Sequence, residues 1–185
     1  ANIMVSINKI VRIKMVDFGL ACHKKGNKLL ENIVCDDYVG TPLYMSPELY
    51  MFAVNNENRN IRLKGVYERF KKITWEMLLA SDIWALGMTL YTLAYGKEML
   101  EFYFDKYKRS VNKDDIKNIA IQIGLKKIIL NEEFFVKLHG RYSPSSKDAI
   151  ILPLIIPLLE VDISKRIDNF KKLFEKSRFQ REIWV

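Results

Sequence analysis

Two short runs rich in β-branched residues open the chain. Ile3 to Ile7 and Val11 to Val16 are separated by Asn8 and Lys9, a pattern that predicts a small β-hairpin. No helical period follows between residues 17 and 47, where Gly19, Gly26, Gly40, Pro42 and Pro47 punctuate a long loop; loops of that length inside compact domains are usually functional. Residues 55 to 60, Asn-Asn-Glu-Asn-Arg-Asn, read as a polar surface stretch. From Thr74 onward the pattern is mostly helical, interrupted at Gly124 and again between Gly140 and Ser146, around Pro144. The expected architecture is α+β, with one strand pair near the start and helices after it.

Ser81 to Gly96 stands out within the helical part. Ile83, Trp84, Leu86, Met88, Leu90, Tyr91, Leu93 and Ala94 make it apolar almost all the way round. A helix without a polar face has to be buried on all sides, so this one is expected to be the central pillar of a helical bundle, with Gly87 allowing a neighbour to come close. Ser81 or Asp82 is expected to cap its first turn, because a short oxygen-bearing side chain satisfies amides that have no partner there. Near the end of the chain, Phe170, Leu173, Phe174 and Phe179 form an apolar stripe. Lys171, Lys172, Lys176 and Arg178 lie opposite, as in an amphipathic surface helix.

Composition narrows the classes. The 185 residues are 49% hydrophobic and 28% charged, which is globular and excludes wholesale disorder. Cys22 and Cys35 match no metal spacing, and such cysteine usage points to a reducing, intracellular and cytoplasmic setting. The longest apolar run, Ala149 to Leu159, is too short to span a bilayer and contains Pro153 and Pro157, so no membrane span is expected. Lys and Arg number 30 against 22 Asp and Glu, a net charge of +8. No recognition motif accompanies that excess, and nucleic acid is not expected as a partner. His23 and His139 lie apart from any ligand set and are read as surface or loop residues. The first residue is Ala1 and apolar sequence follows at once, which reads as a piece of a longer protein.

Four motifs then occur in order. Asp17-Phe18-Gly19 follows the second strand. Gly40-Thr41-Pro42-Leu43-Tyr44-Met45-Ser46-Pro47-Glu48 comes next, and Asp82-Ile83-Trp84-Ala85-Leu86-Gly87 opens the apolar helix. Leu158 to Arg166, ending Asp162-Ile163-Ser164-Lys165-Arg166, closes another apolar stretch. Together they resemble the eukaryotic Ser/Thr protein kinase family, and specifically its C-terminal lobe, with residues 1–185 covered as one such lobe. The resemblance implies a mainly helical kinase-like lobe with a short β-hairpin at the start and a long activation-segment loop.

It also implies chemistry. Phosphoryl transfer concentrates negative charge on the nucleotide, and carboxylate and amide oxygens are the groups that hold Mg2+ beside ATP. Asp17 is matched to the metal-binding aspartate and Asn2 to the asparagine of the second metal. Thr41 is matched to the threonine that helps place a Ser/Thr substrate. Glu48 is matched to the partner of a buried Arg166, and Asp82 to the residue that holds the catalytic-loop backbone, a role compatible with helix capping. Trp84 is a core aromatic. The activation segment begins at Asp17-Phe18-Gly19 and has no Ser or Thr between Leu20 and Val39. Asp37, with Asp36 beside it, occupies the place where many relatives carry an activating phosphothreonine. The two acids are read either as stand-ins for that phosphate or as residues of a solvated loop. Arg59 to Lys72, in a stretch longer than the family commonly shows, reads as an inserted helix or a loop expansion.

The glycine-rich loop, strand lysine and helix glutamate of the family's N-terminal lobe have no match in this sequence, and the catalytic base is expected upstream of Asn2. The chain alone is therefore expected to be inactive. Complete, it is expected to transfer the ATP γ-phosphoryl group to Ser or Thr of protein substrates. The alternative is a pseudokinase-like protein-interaction module.

Overall fold

The computed structural model describes residues 3–7, 11–19, 21, 23–24, 33–34, 40–57, 73–107, 112–140 and 147–176. They fall into two compact units, Ala1–Gly40 and Thr41–Val185.

The first unit is built on the expected hairpin. β1 (Ile3–Ile7) pairs antiparallel with β2 (Val11–Met15), Ile3 lying opposite Met15 and Ile7 opposite Val11. β-branched side chains favour this pleated backbone, yet every residue of both strands is exposed. The stretch expected to be a plain loop carries a second, minimal ladder. β3 (His23–Lys24) pairs with β4 (Ile33–Val34), so His23 sits in a strand and not in a free loop.

The second unit is helical. A 3-10 turn, Pro42–Tyr44, leads into α1 (Pro47–Glu57). α1 continues through Asn55, Asn56 and Glu57, the first half of the polar stretch. Then come α2 (Trp75–Tyr95), α3 (Met99–Lys106), α4 (Lys113–Gly124), α5 (Glu132–His139), α6 (Lys147–Ile155), a 3-10 turn at Ile156–Leu159, and α7 (Ile163–Lys176). Arg59 to Lys72, Phe179 and Arg178 lie outside the described residues. Within α7, Lys171 and Lys172 are exposed while Phe170 and Leu173 are half-buried.

Local chemistry sets the helix ends. Thr74, Asn112 and Asn131 each turn a side-chain oxygen onto a first-turn amide, at 3.2, 2.8 and 2.9 Å. Gly96 and Gly140 close α2 and α5 at φ of 74° and 85°, a left-handed conformation that glycine adopts without a Cβ penalty. The Thr74 cap corrects the expected start of the pillar helix. α2 begins at Trp75, and Ser81 and Asp82 are interior to it, because Thr74 already satisfies the amide of Met77.

α2 is the pillar in the sense that it touches α1, α3, α6, α7 and both 3-10 turns. Its buried face is Met77, Ala80, Ile83, Trp84, Gly87, Met88 and Tyr91. Burial on all sides does not hold. Leu79, Leu86 and Leu93 are 42%, 39% and 75% exposed, because the described neighbours cover only one arc of the cylinder. By length and composition α2 could cross a membrane, but its buried face forms the middle of the core with Phe104, Ile123, Phe135, Leu152, Ile155 and Leu159. A Cβ on Gly87 would lie 2.9 Å from Leu159 Cδ2 and 3.0 Å from Leu158 Cβ, so glycine is what lets the second 3-10 turn press against the pillar.

Candidate functional site

Asp17 leaves the hairpin two residues after β2 with a φ of 66°. Left-handed backbone at a residue with a Cβ costs on the order of 1 kcal/mol, and aspartate tolerates it better than most. The conformation is braced locally: Gly19 N donates to Asp17 Oδ1 at 3.3 Å, and Ala21 N donates to Phe18 O at 3.0 Å. Asp17, Phe18 and Gly19 are all exposed. A carboxylate in this setting offers hard oxygen ligands that suit Mg2+, which is commonly held by one or two carboxylates together with substrate phosphates. No group of three or more His, Cys, Asp and Glu gathers among the described residues. Asn2, Asp36 and Asp37 lie outside the described residues.

The segment that follows Gly40 is pinned at several points. Thr41 is exposed, and its carbonyl accepts from Tyr44 N at 3.0 Å to start the 3-10 turn, with Pro42 fixing the first φ. Tyr50, on the first turn of α1, donates its hydroxyl to Pro42 O at 2.8 Å, and burial raises its phenol pKa. Tyr44 OH donates to Glu98 Oε1 at 3.2 Å and lies 3.4 Å from Thr92 Oγ1. Desolvation is the main reason its pKa is raised. Ser46 is fully buried, and its hydroxyl has no hydrogen-bond partner among the described residues.

At the far end of this segment Glu48 meets Arg166. Arg166 Nη1 lies 2.6 Å from Glu48 Oε1 and Nη2 lies 3.1 Å from Oε2, a two-pronged pair in which the side chains are 3% and 0% exposed. Two buried charges are tolerable only if their remaining donors are satisfied. Nη1 also donates to Ala80 O at 2.8 Å and Nε to Glu160 O at 2.6 Å, while the guanidinium sits 5.0 Å from the centre of the Trp84 ring. Asp162 fixes the start of α7, and with it Arg166, by accepting from Lys165 N at 3.1 Å through its side chain and from Arg166 N at 2.9 Å through its carbonyl. Three partners therefore converge on the guanidinium that α7 carries: α1 through Glu48, α2 through Ala80 and Trp84, and the carbonyl of Glu160. Trp84 is buried, and its indole N–H has no hydrogen-bond partner among the described residues.

Asp82 lies on the exposed side of α2 beside the leucine stripe. Protein crowding on one side desolvates its carboxylate and raises its pKa, although the side chain reaches solvent.

Sequence reasoning missed three things. His139 is not a surface residue. It stacks on Tyr95 with ring centres 4.3 Å apart, and its Nε2 lies 3.0 Å from Tyr91 OH. Tyr50 reaches back to Pro42, a contact eight positions apart that helical spacing does not encode. The Tyr44–Glu98 contact spans 54 positions, and no local signal could have found it.

The protein kinase domain model matches residues 1–178. The chain therefore belongs to the protein kinase family. It is similar to the dual specificity protein kinase shkC of Dictyostelium discoideum, at 36% identity over 44% of this chain and 14% of that protein. It is also similar to the serine/threonine-protein kinase MPS1 of Saccharomyces cerevisiae, at 31% over 46% of the chain and 10% of the relative. The dual specificity protein kinase TTK of Mus musculus matches at 36% over 46% and 8%. Each match thus spans a small fraction of the relative's length. No solved structure matches the chain.

Proposed function

We propose that this chain is the C-terminal, helical lobe of a protein kinase that transfers the γ-phosphoryl group of ATP to Ser or Thr of protein substrates. The observation that carries the reading is the order of parts along one short stretch. A braced, left-handed Asp17 follows a hairpin, and an exposed Thr41 then opens a segment whose end is locked by the Glu48–Arg166 clasp. ATP with Mg2+ supplies the phosphoryl group and neutralises its charge as it moves. Asp17 and Asn2 hold the metal. Thr41 orients the acceptor hydroxyl, and the clasp keeps Thr41's segment in one place, since positioning supplies most of the rate in this chemistry. Asp82 holds the backbone of the catalytic loop. Asp36 and Asp37 supply part of the charge of an activating phosphate, so the loop orders without Ser/Thr phosphorylation within it.

The test is transfer of labelled γ-phosphate from ATP by the complete protein to Ser, Thr and Tyr peptides, beside an Asp17→Asn variant and the present chain alone. Label on Ser and Thr, lost in Asp17→Asn and absent from the lone chain, supports the reading. Label on Tyr as well would widen it to the dual specificity that the names of two of these relatives carry. A complete protein that neither transfers phosphate nor gains thermal stability from ATP and Mg2+ favours the interaction-module alternative. Asp37→Ala with unchanged activity removes the phosphate stand-in alone.

A further inference from the structure

Glu98 occupies the N-cap of α3 but does not cap it: its side chain makes no hydrogen bond to the helix amides. The equivalent positions of α2, α4 and α5 hold Thr74, Asn112 and Asn131, all of which cap their helices. A glutamate is a poor choice for a cap, being too long to fold back onto its own first turn. Its carboxylate is directed instead to the hydroxyl of Tyr44. Lys97, the adjacent cation, is engaged by Asp105, while burial and the neighbouring Glu98 raise the pKa of Glu101 within α3.

Proton accounting shows which partner matters. Tyr44 lies near both Thr92 Oγ1 and Glu98 Oε1 and has one proton to give. The Thr92 hydroxyl donates its own proton to Met88 O at 3.0 Å, so it is not available to serve Tyr44 as a donor. The charged oxygen is also the nearer of the two, at 3.2 against 3.4 Å. Tyr44 therefore gives its proton to Glu98, and hydrogen bonds to charged groups are the stronger kind. Tyr44 in turn is bonded through its backbone amide to the carbonyl of Thr41. A line of contacts runs from Glu98 through Tyr44 to Thr41.

We propose that Glu98 is a positioning residue for the phosphoryl acceptor, tying the 3-10 turn that carries Thr41 to the junction of α2 and α3. The inference rests on the kinase reading above. Tyr50 holds the same turn at Pro42 from the α1 side, so the turn is fixed at two points and Glu98 supplies one of them.

The experiment uses the complete kinase and separates the tie from helix stability. Glu98→Asn puts a good capping residue at the start of α3 and removes the reach to Tyr44. It should keep or raise Tm and leave KM for ATP unchanged, while kcat/KM for a peptide substrate falls about tenfold, the lower end for a hydrogen bond to a charged group. Glu98→Gln retains an oxygen acceptor of the same length and should recover most of that loss. Tyr44→Phe should match Glu98→Asn, and the double variant should be no worse than either single one, since both remove the same bond. Thr92→Val should change peptide kcat/KM by less than about twofold. A Glu98→Asn protein with wild-type peptide kcat/KM overturns the proposal, and so do losses that multiply in the double variant or that come with a lower Tm. An inactive wild type overturns the kinase reading and this inference together, whereas an active wild type with an indifferent Glu98→Asn overturns the inference alone.

Discussion

The two units of this chain are stabilised in different ways. In Thr41–Val185 a buried cation with four hydrogen bonds, a glycine that admits a neighbouring turn, and stacked aromatic residues fix side chains in place. In Ala1–Gly40 the backbone ladder does the ordering. Ile3, Met4, Val5, Ile7, Val11, Ile13 and Met15, all exposed, lie along a two-stranded hairpin, and such a ribbon is marginally stable by itself. Yet Asp17, the residue with the most direct claim on metal chemistry, sits on the weakly packed unit. The contrast teaches that the proposed metal ligand and the packed core lie on separate stretches of this sequence, whereas the residues proposed to position the substrate lie with the core. Substitutions should sort accordingly, with large stability effects in the helical unit and small ones in the hairpin.

The largest effect is expected at the clasp. Arg166→Ala leaves Glu48 buried, charged and unpaired, and should lower the stability of the helical unit by about 3–5 kcal/mol. Thermal unfolding followed by circular dichroism reads this directly. Glu48→Ala should do the same from the other side. Combining Glu48→Ala with Arg166→Met, which removes both charges and retains apolar volume, should recover part of the loss. If Arg166→Ala melts like wild type, the helical unit does not depend on its centre and the contrast collapses.

Next is Gly87. An alanine methyl there must displace Leu158 Cβ and Leu159, and the first is attached directly to backbone. Overpacking of this kind costs about 1–3 kcal/mol, partly offset by the better helix propensity of alanine, about 1 kcal/mol. Gly124 is the control. There the nearest obstacle is the sulfur of Met51, the far part of a flexible side chain, so Gly124→Ala should be milder. Equal losses at the two positions would mean that the turn at Ile156–Leu159 is as yielding as a methionine.

These two sites also mark the limits of sequence reading. Gly87 and the Glu48–Arg166 pair stood out because they belong to motifs, and the hairpin stood out because β-branched residues bracket a short polar break. The start of α2 did not, since Thr74 lies outside the motif and Asp82 looked like an adequate cap. Neither did the exposure of Leu79, Leu86 and Leu93, because composition reports how apolar a helix is and not how much of its circumference has neighbours. His139 and Glu98 were invisible for another reason. Their partners, Tyr91 and Tyr44, lie 48 and 54 positions away and are met only when α5 and α3 pack against the pillar.

A smaller effect, with a sign that depends on pH, is expected at Asp82. Desolvation raises its folded pKa above 3.8, so the folded state holds the proton more tightly than the unfolded one. The contribution of Asp82 to stability is then highest below about pH 4, where both states are protonated, and falls as pH rises through the folded pKa. Asp82→Asn removes that penalty. In this chain it should raise Tm modestly at pH 7, and the gain should vanish below about pH 4. In the complete kinase the same substitution should lower activity, because the proposed hold on the catalytic loop needs the carboxylate. A stabilised and fully active Asp82→Asn kinase would leave Asp82 without that role.

The smallest effect is expected on the hairpin. Ile13 is 70% exposed and lies opposite Val5, in the middle of the ladder. Threonine retains the β-branch that suits a strand, so Ile13→Thr preserves the local preference while removing apolar surface. Surface changes of this kind usually stay within about 0.5 kcal/mol. The melting of the helical unit, followed through its helical signal, should therefore be unchanged within error in this chain. In the complete kinase the outcome carries more information. If Ile13→Thr lowers Tm there and not here, the apolar faces of the ribbon are covered in the complete protein, and Asp17 is held by packing as well as by its ladder. If Tm is unchanged in both, the turn after β2 depends on its own hydrogen bonds, and the left-handed Asp17 with its 3.3 Å contact from Gly19 is the whole local device.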